Sequence, residues 1–141
     1  DGIRDSVASR GLGDVYKRQE FDSVTISPYM GKDSVEPFLK YEGKHAILLA
    51  LTSNQGAFDF QTSDPKNISL FETVIKTSTN WKNSQQLMYV VGATKAEYFK
   101  KIRQLLPNSF LLVPGVGAQG GDVDKVIKSC TFDSSSKAMQ D

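Results

Sequence analysis

Hydrophobic and polar positions fall into alternating blocks along most of this chain. Asp22-Ser-Val-Thr-Ile-Ser27 sets β-branched Val24 and Ile26 around Thr25, a period of two that predicts a strand. Asp33 then opens a short helix predicted over Ser34 to Tyr41, with Glu36 as its capping-box partner. Pro37 falls in its first turn or so, where a missing N–H is tolerated. Ala46-Ile-Leu-Leu-Ala-Leu51 is continuously apolar, as in a strand buried on both faces. Ser69-Leu-Phe-Glu72 is a second capping box and starts a helix running to about Trp81. Leu87-Met-Tyr-Val-Val91 is a third strand. Thr94-Lys-Ala-Glu97 caps a helix whose apolar stripe is Tyr98, Phe99, Ile102, Leu105 and Leu106, and Pro107 ends it. Phe110 to Val113 is the fourth strand. Asp122 caps a fourth helix to about Lys128, with Val123, Val126 and Ile127 as its buried face.

Four β-α units in succession predict an α/β fold with a parallel sheet covered by helices. An open doubly wound sheet and a (β/α)8 barrel both satisfy that pattern. The loops favour the barrel, because every strand empties into a polar or glycine-bearing loop: Ser-Pro-Tyr-Met-Gly31, Thr-Ser-Asn-Gln-Gly56, Gly-Ala-Thr94 and Pro-Gly-Val-Gly117. A barrel site draws on all of its C-terminal loops, whereas an open sheet concentrates ligands at one switch point. Four units do not close a barrel of eight, so the expectation is a partial (β/α)8 barrel and an incomplete chain.

The richest candidate chemistry follows the fourth strand. Pro114-Gly-Val-Gly-Ala-Gln-Gly-Gly121 holds four glycines and one amide side chain between a strand and a helix start. Glycines let a backbone approach a ligand closely, and the N–H groups of a helix start attract an anion. A phosphorylated small molecule is the ligand class this implies.

Composition narrows the alternatives. Among 141 residues, 39% are hydrophobic and 23% charged, with a net charge of +1, which argues against a nucleic-acid partner. No apolar run approaches the roughly 20 residues that span a bilayer. The single cysteine, Cys130, leaves no internal disulfide and fits a reducing cytoplasm. His45, the single histidine, precedes a buried strand at the end away from the C-terminal loops and reads as structural. Lys95, Lys100, Lys101 and Arg103 read as a solvated basic helix face.

The two ends break the pattern. Residues 1–19, DGIRDSVASRGLGDVYKRQ, show no sustained period and resemble a peptide that recurs when sequencing-adapter DNA is translated; they are expected to be non-native and poorly ordered. The β-α units occupy 20–129. Residues 130–141 are polar and aperiodic, a divergent or truncated tail.

Several runs together resemble the orotidine 5′-phosphate decarboxylase family, in its longer bacterial branch. They are Asp22-Ser-Val-Thr-Ile-Ser-Pro-Tyr-Met-Gly31, Asp33-Ser-Val-Glu-Pro-Phe38, Leu48-Leu-Ala-Leu-Thr-Ser-Asn-Gln-Gly-Ala57, Gln86-Leu-Met-Tyr-Val-Val-Gly-Ala-Thr94 and the glycine loop. The resemblance runs from Phe21 to Lys128. It implies a (β/α)8 barrel, usually a homodimer, that converts orotidine 5′-phosphate to uridine 5′-phosphate and carbon dioxide without metal or organic cofactor. The four strands then correspond to the fourth through seventh of the barrel. Ser53 matches the hydroxyl residue that hydrogen-bonds the pyrimidine, with Thr52 beside it as a weaker candidate. Pro114 matches a loop residue near the pyrimidine, and Gln119 the glutamine that reaches the phosphate.

The family's Asp-x-Lys-x-x-Asp array, whose lysine protonates the carbanion left by departing carbon dioxide, does not occur in this chain. Asp122-Val-Asp124-Lys125 is the nearest cluster and has the wrong spacing. The phosphate-binding arginine that follows the family's eighth strand is also absent. The expectation is therefore a fragment of a decarboxylase that is itself inactive, with no catalytic residue of its own. Two alternatives stay open: another phosphate-binding barrel, such as a sugar-phosphate epimerase or synthase, and a non-catalytic nucleotide-binding or interaction module.

Overall fold

A computed structural model describes residues 22–63, 68–117 and 120–130. Residues 1–19 and 131–141 lie outside these, as does Gln119. Four strands form one sheet in the order β1-β2-β3-β4: Ser23–Ile26, His45–Leu51, Leu87–Val91 and Leu111–Leu112. Every neighbouring pair is parallel. The helices are α1 (Lys32–Val35), α2 (Ala57–Phe60), α3 (Leu70–Ser78), α4 (Phe99–Leu105) and α5 (Val123–Cys130).

Strand β2 is the centre of the sheet and matches its apolar reading, with Ala46, Leu48, Ala50 and Leu51 at most 2% exposed. Parallel strands covered by helices lose both faces to the interior, which is why β2 and β3 are almost uninterrupted runs of apolar residues. Their registry slips once. Leu49 pairs with Val90 but Leu51 with Val91, so Ala50 is an extra residue just before the strand ends. A bulge at that point redirects the chain that follows it, Thr52 and Ser53. The core is completed by Phe71 and Ile75 of α3, Phe99 and Ile102 of α4, and Leu106. The Phe71 and Tyr98 rings meet edge to face, with centroids 5.5 Å apart.

Several local expectations are corrected. The segment after β1 is α-helical only over Lys32–Val35 and continues as a 3₁₀ turn over Glu36–Lys40. Pro37 has no N–H to give to the carbonyl four residues back, so the chain tightens there. Gly31, not Asp33, holds the cap position, at φ +91°. Helix α3 stops at Ser78, short of Trp81, and Ser69 Oγ donates to Glu72 Oε1 (3.2 Å) rather than capping a backbone N–H. Thr94 caps nothing: a 3₁₀ turn spans Ala93–Tyr98, and the α4 stripe begins at Phe99. Pairing at β4 is confined to Leu111–Leu112, with Phe110 73% exposed. Of the expected α5 face only Val126 is buried; Val123 and Ile127 are about half exposed (48% and 53%).

The basic face also dissolves into separate roles. Lys95 is buried, with Nζ 3.5 Å from the centre of the Phe58 ring. Lys101 Nζ lies 2.6 Å from the buried Glu72 carboxylate. Arg103 donates to the carbonyls of Leu106 and Ser109, both at 2.9 Å, which closes the end of α4. Lys100 and Lys101 are exposed, as the solvated face requires, whereas Lys95 is not. His45 opens β2, with its N–H donating to Asp22 O.

Candidate functional site

The loops at the C-terminal ends of β2, β3 and β4 are fused by contacts that only glycine permits. A Cβ on Gly92 would stand 2.4 Å from Ser53 Cα and 2.5 Å from its nitrogen. A Cβ on Gly121 would stand 2.4 Å from Ala93 Cβ and 2.6 Å from Gly115 O. Backbone bonds run alongside, from Gly92 N to Leu51 O and from Ala93 N to Pro114 O, both 2.8 Å. Ser53, Ala93 and Pro114, from three different strand ends, are thereby brought side by side.

The Thr52–Ser53 turn is held by side chains. Gln61 Oε1 accepts the Thr52 N–H (2.8 Å), and Gln61 Nε2 donates to Thr52 Oγ1 (2.9 Å). Thr52 Oγ1 in turn donates to Asn54 Oδ1 (2.5 Å). Thr94 Oγ1 donates to the carbonyl of Ser53 (2.7 Å), which is why it is unavailable to cap the helix behind it. Thr52 and Ser53 are partly buried and Pro114 is exposed. The sequence reading missed Gln61, Asn54 and Gly92. No local pattern marks Gln61, because its partner lies nine residues back across a turn.

Glycine serves two separate ends in the loop after β4. Gly115, Gly117 and Gly120 adopt positive φ of 88°, 77° and 82°. Gly121 instead makes room for Ala93. The loop folds on itself through Gly117 N to Gly121 O (3.1 Å), Gly120 N to Gly117 O (2.8 Å) and Gly121 N to Gly115 O (3.1 Å). The helix start is occupied as well, since Asp122 Oδ1 accepts the N–H groups of Asp124 (3.0 Å) and Lys125 (3.2 Å). Asp122 is thus the expected cap, and the N–H groups of Asp124 and Lys125, read from sequence as free for an anion, already have an acceptor; Ala118 and Gln119 of the loop lie outside the described residues.

Parallel β-α units with glycine loops and hydroxyl side chains gathered at the strand C-termini define an α/β fold of the kind from which (β/α)8 barrels are built. The chain belongs to the family described as orotidine 5′-phosphate decarboxylase / HUMPS, which it matches over residues 11–129. It is 68% identical over 108 residues to the orotidine 5′-phosphate decarboxylase of Flavobacterium johnsoniae, a stretch that covers 77% of this chain and 40% of that protein. Identity to the Christiangramia forsetii enzyme is 66% over 108 residues, with the same coverage. The chain therefore spans about 40% of the length of these curated relatives. Among solved structures, a Leishmania donovani UMP synthase superposes with a TM-score of 0.81 at 33% identity, covering 88% of this chain and 28% of that one. The Leishmania donovani OMP decarboxylase gives 0.78 at 30% identity, over 87% and 48%. A Methanocaldococcus jannaschii OMP decarboxylase complexed with the inhibitor BMP shares the fold at 0.66 and 23% identity, over 87% and 54%. Among the described residues, no helix is long and apolar enough to cross a membrane.

Proposed function

We propose that this chain is the central portion of an orotidine 5′-phosphate decarboxylase and forms part of the site for orotidine 5′-phosphate and uridine 5′-phosphate. Its four strands stand for the fourth through seventh of the barrel, within a unit spanning 20–129. Ser53 hydrogen-bonds the pyrimidine, with Thr52 beside it and Pro114 packing near the ring. Gln119 donates its amide to phosphate oxygen. The observation that carries this reading is the contact chain from Ser53 through Gly92 and Ala93 to Gly121, which packs three strand-end loops around one place. Phosphate recognition falls to Gln119 rather than to the helix start, because Asp122 already occupies those N–H groups.

The chain does not decarboxylate on its own. It has no Asp-x-Lys-x-x-Asp array, and loss of a general acid removes about 10²–10⁴-fold in rate before the missing carboxylates and arginine are counted. The intact protein is a cytoplasmic homodimer, in which a second subunit completes each site.

The test is twofold. Purified chain is assayed for carbon dioxide release from orotidine 5′-phosphate, with none expected; turnover near enzyme rates overturns the inactivity. Labelled chain is titrated with uridine 5′-phosphate and, separately, ribulose 5-phosphate. Amide shifts at Ser53, Ala93 and Gly115 with the nucleotide alone support the reading. A response to the sugar phosphate alone favours a different phosphate-binding barrel.

A further inference from the structure

We infer that Gln61 is a positioning residue of the nucleotide site, fixing the Thr52–Ser53 turn through the backbone and hydroxyl of Thr52. The inference rests on the proposal that Ser53 meets the pyrimidine.

Beyond Leu51, whose carbonyl takes the Gly92 N–H, the backbone leaves the sheet at the Ala50 bulge. The Thr52 N–H takes its acceptor from outside the sheet, Gln61 Oε1 at 2.8 Å. Because an N–H only donates, this bond fixes the orientation of the Gln61 amide, and its NH₂ group must face Thr52 Oγ1 at 2.9 Å. An NH₂ also only donates, and of the two acceptors within reach of the single Thr52 hydroxyl proton, Asn54 Oδ1 (2.5 Å) is nearer than Gln61 Oε1 (3.2 Å). The proton of the Thr52 hydroxyl and one of its two lone pairs are thus used within the protein. Thr52 is therefore a strut of the turn that carries Ser53.

Gln61 is itself a rigid post. Its N–H donates to Ala57 O (2.8 Å) at the end of α2, and its carbonyl accepts the Phe71 N–H (3.0 Å) of α3. Ala57 and Phe71 are fully buried. Ser53 is gripped from the other side by Thr94 Oγ1 at its carbonyl and by Gly92 beneath its Cα. Removing Gln61 leaves the turn held on one side only. Polar groups kept within about half an ångström of a productive geometry depend on such supports.

The experiment uses the full 141-residue chain, labelled, as wild type, Gln61→Met and Gln61→Glu. Methionine keeps the length without either hydrogen bond, whereas glutamate keeps an acceptor for the Thr52 N–H. Amide exchange at Thr52 is expected to speed up about tenfold in Q61M, the loss of one net hydrogen bond, and to stay near wild type in Q61E. Uridine 5′-phosphate affinity is expected to fall about five- to tenfold in Q61M, with Q61E between the two. Wild-type exchange at Thr52 together with unchanged affinity in Q61M overturns the inference. Absence of any nucleotide response in the wild type overturns the proposed function instead, and the exchange comparison then decides alone whether Gln61 holds the turn. Should Q61M fail to fold, Thr52→Val, which removes the hydroxyl half of the clamp, replaces it: faster amide exchange at position 52 with nucleotide affinity lowered severalfold supports the inference, and wild-type exchange with unchanged affinity overturns it.

Discussion

The Cα of Ser53 lies so close over Gly92 that a single added methyl group would stand 2.4 Å from it. Both parties to that contact are backbone, so neither can swing aside as a flexible side chain would. Gly92→Ala is expected to push the β2 and β3 loops apart. It should destabilise the chain by about 1–3 kcal/mol, the usual cost of overpacking a filled interior. Urea unfolding measures the loss, and an unchanged midpoint would show that the loops have room to spare.

Ser78 and Tyr89 form a polar pair deep between α3 and the sheet, with their hydroxyl oxygens 2.9 Å apart and both residues at most 1% exposed. Ser78 Oγ also donates to Ile75 O (3.2 Å), so the proton shared with Tyr89 comes from the tyrosine. Burial pushes the Tyr89 hydroxyl above its ordinary pKa, and the Ser78 bond offsets this only in part. The two deletions are then unequal. Ser78→Ala strands a buried phenol and is expected to cost about 1–3 kcal/mol. Tyr89→Phe leaves Ser78 with its carbonyl partner and should cost less. Equal losses in thermal or urea unfolding would reverse the assigned direction of the bond.

Glu72 ties α3 to α4 through Lys101, at 2.6 Å. Burial pushes its carboxyl up, but hydrogen bonds from Lys101 and Ser69 and the Lys101 charge outweigh that and hold it below the ordinary 4.5. The folded state thus binds fewer protons than the unfolded one between the two pKa values. The stability this lends is complete above the unfolded pKa and drains away as pH falls through the folded one. Glu72→Gln should cost about 1–3 kcal/mol at neutral pH. Its deficit should shrink on acidification below 4.5, as wild type loses the same interaction. Urea midpoints of both proteins down to about pH 3 check this, and a pH-independent difference would sink it.

Strands were more legible in this sequence than helix starts, of which Ser69 and Asp122 stand as read and Asp33 and Thr94 do not. A strand buried on both faces writes its environment into every residue, and Ala46 to Leu51 needs no partner to be recognised. A cap depends on where one side chain turns, and distant groups can claim it. Thr94 has the sequence of a cap but is taken by Ser53 O, from another strand end. Lys95 looks solvated in one dimension because Phe58, which covers it, lies on an earlier helix, and the Glu72 partner of the exposed Lys101 is equally distant in sequence. The candidate site divides the same way. The glycine loop was visible as composition, yet its inward-turned N–H groups were not. The Gln61 clamp left no trace in any window of neighbouring residues.

Asp122 is the cap that sequence did locate, and it makes the last prediction sharp. Its Oδ1 serves two N–H groups at the start of α5, while among the described side chains of that helix Val126 alone is buried in the core. Asp122→Ala should therefore cost about 0.5–2 kcal/mol, chiefly as fraying of α5. Hydrogen exchange is the measurement, with faster exchange expected at Asp124 and Lys125 and little change in β2. Ile127→Ser, on the exposed side of the same helix, should fall within about 0.5 kcal/mol of wild type. If Ile127→Ser instead destabilises as much as Asp122→Ala, Ile127 is covered in solution, and the apolar side of α5 belongs to a contact that the described residues do not contain.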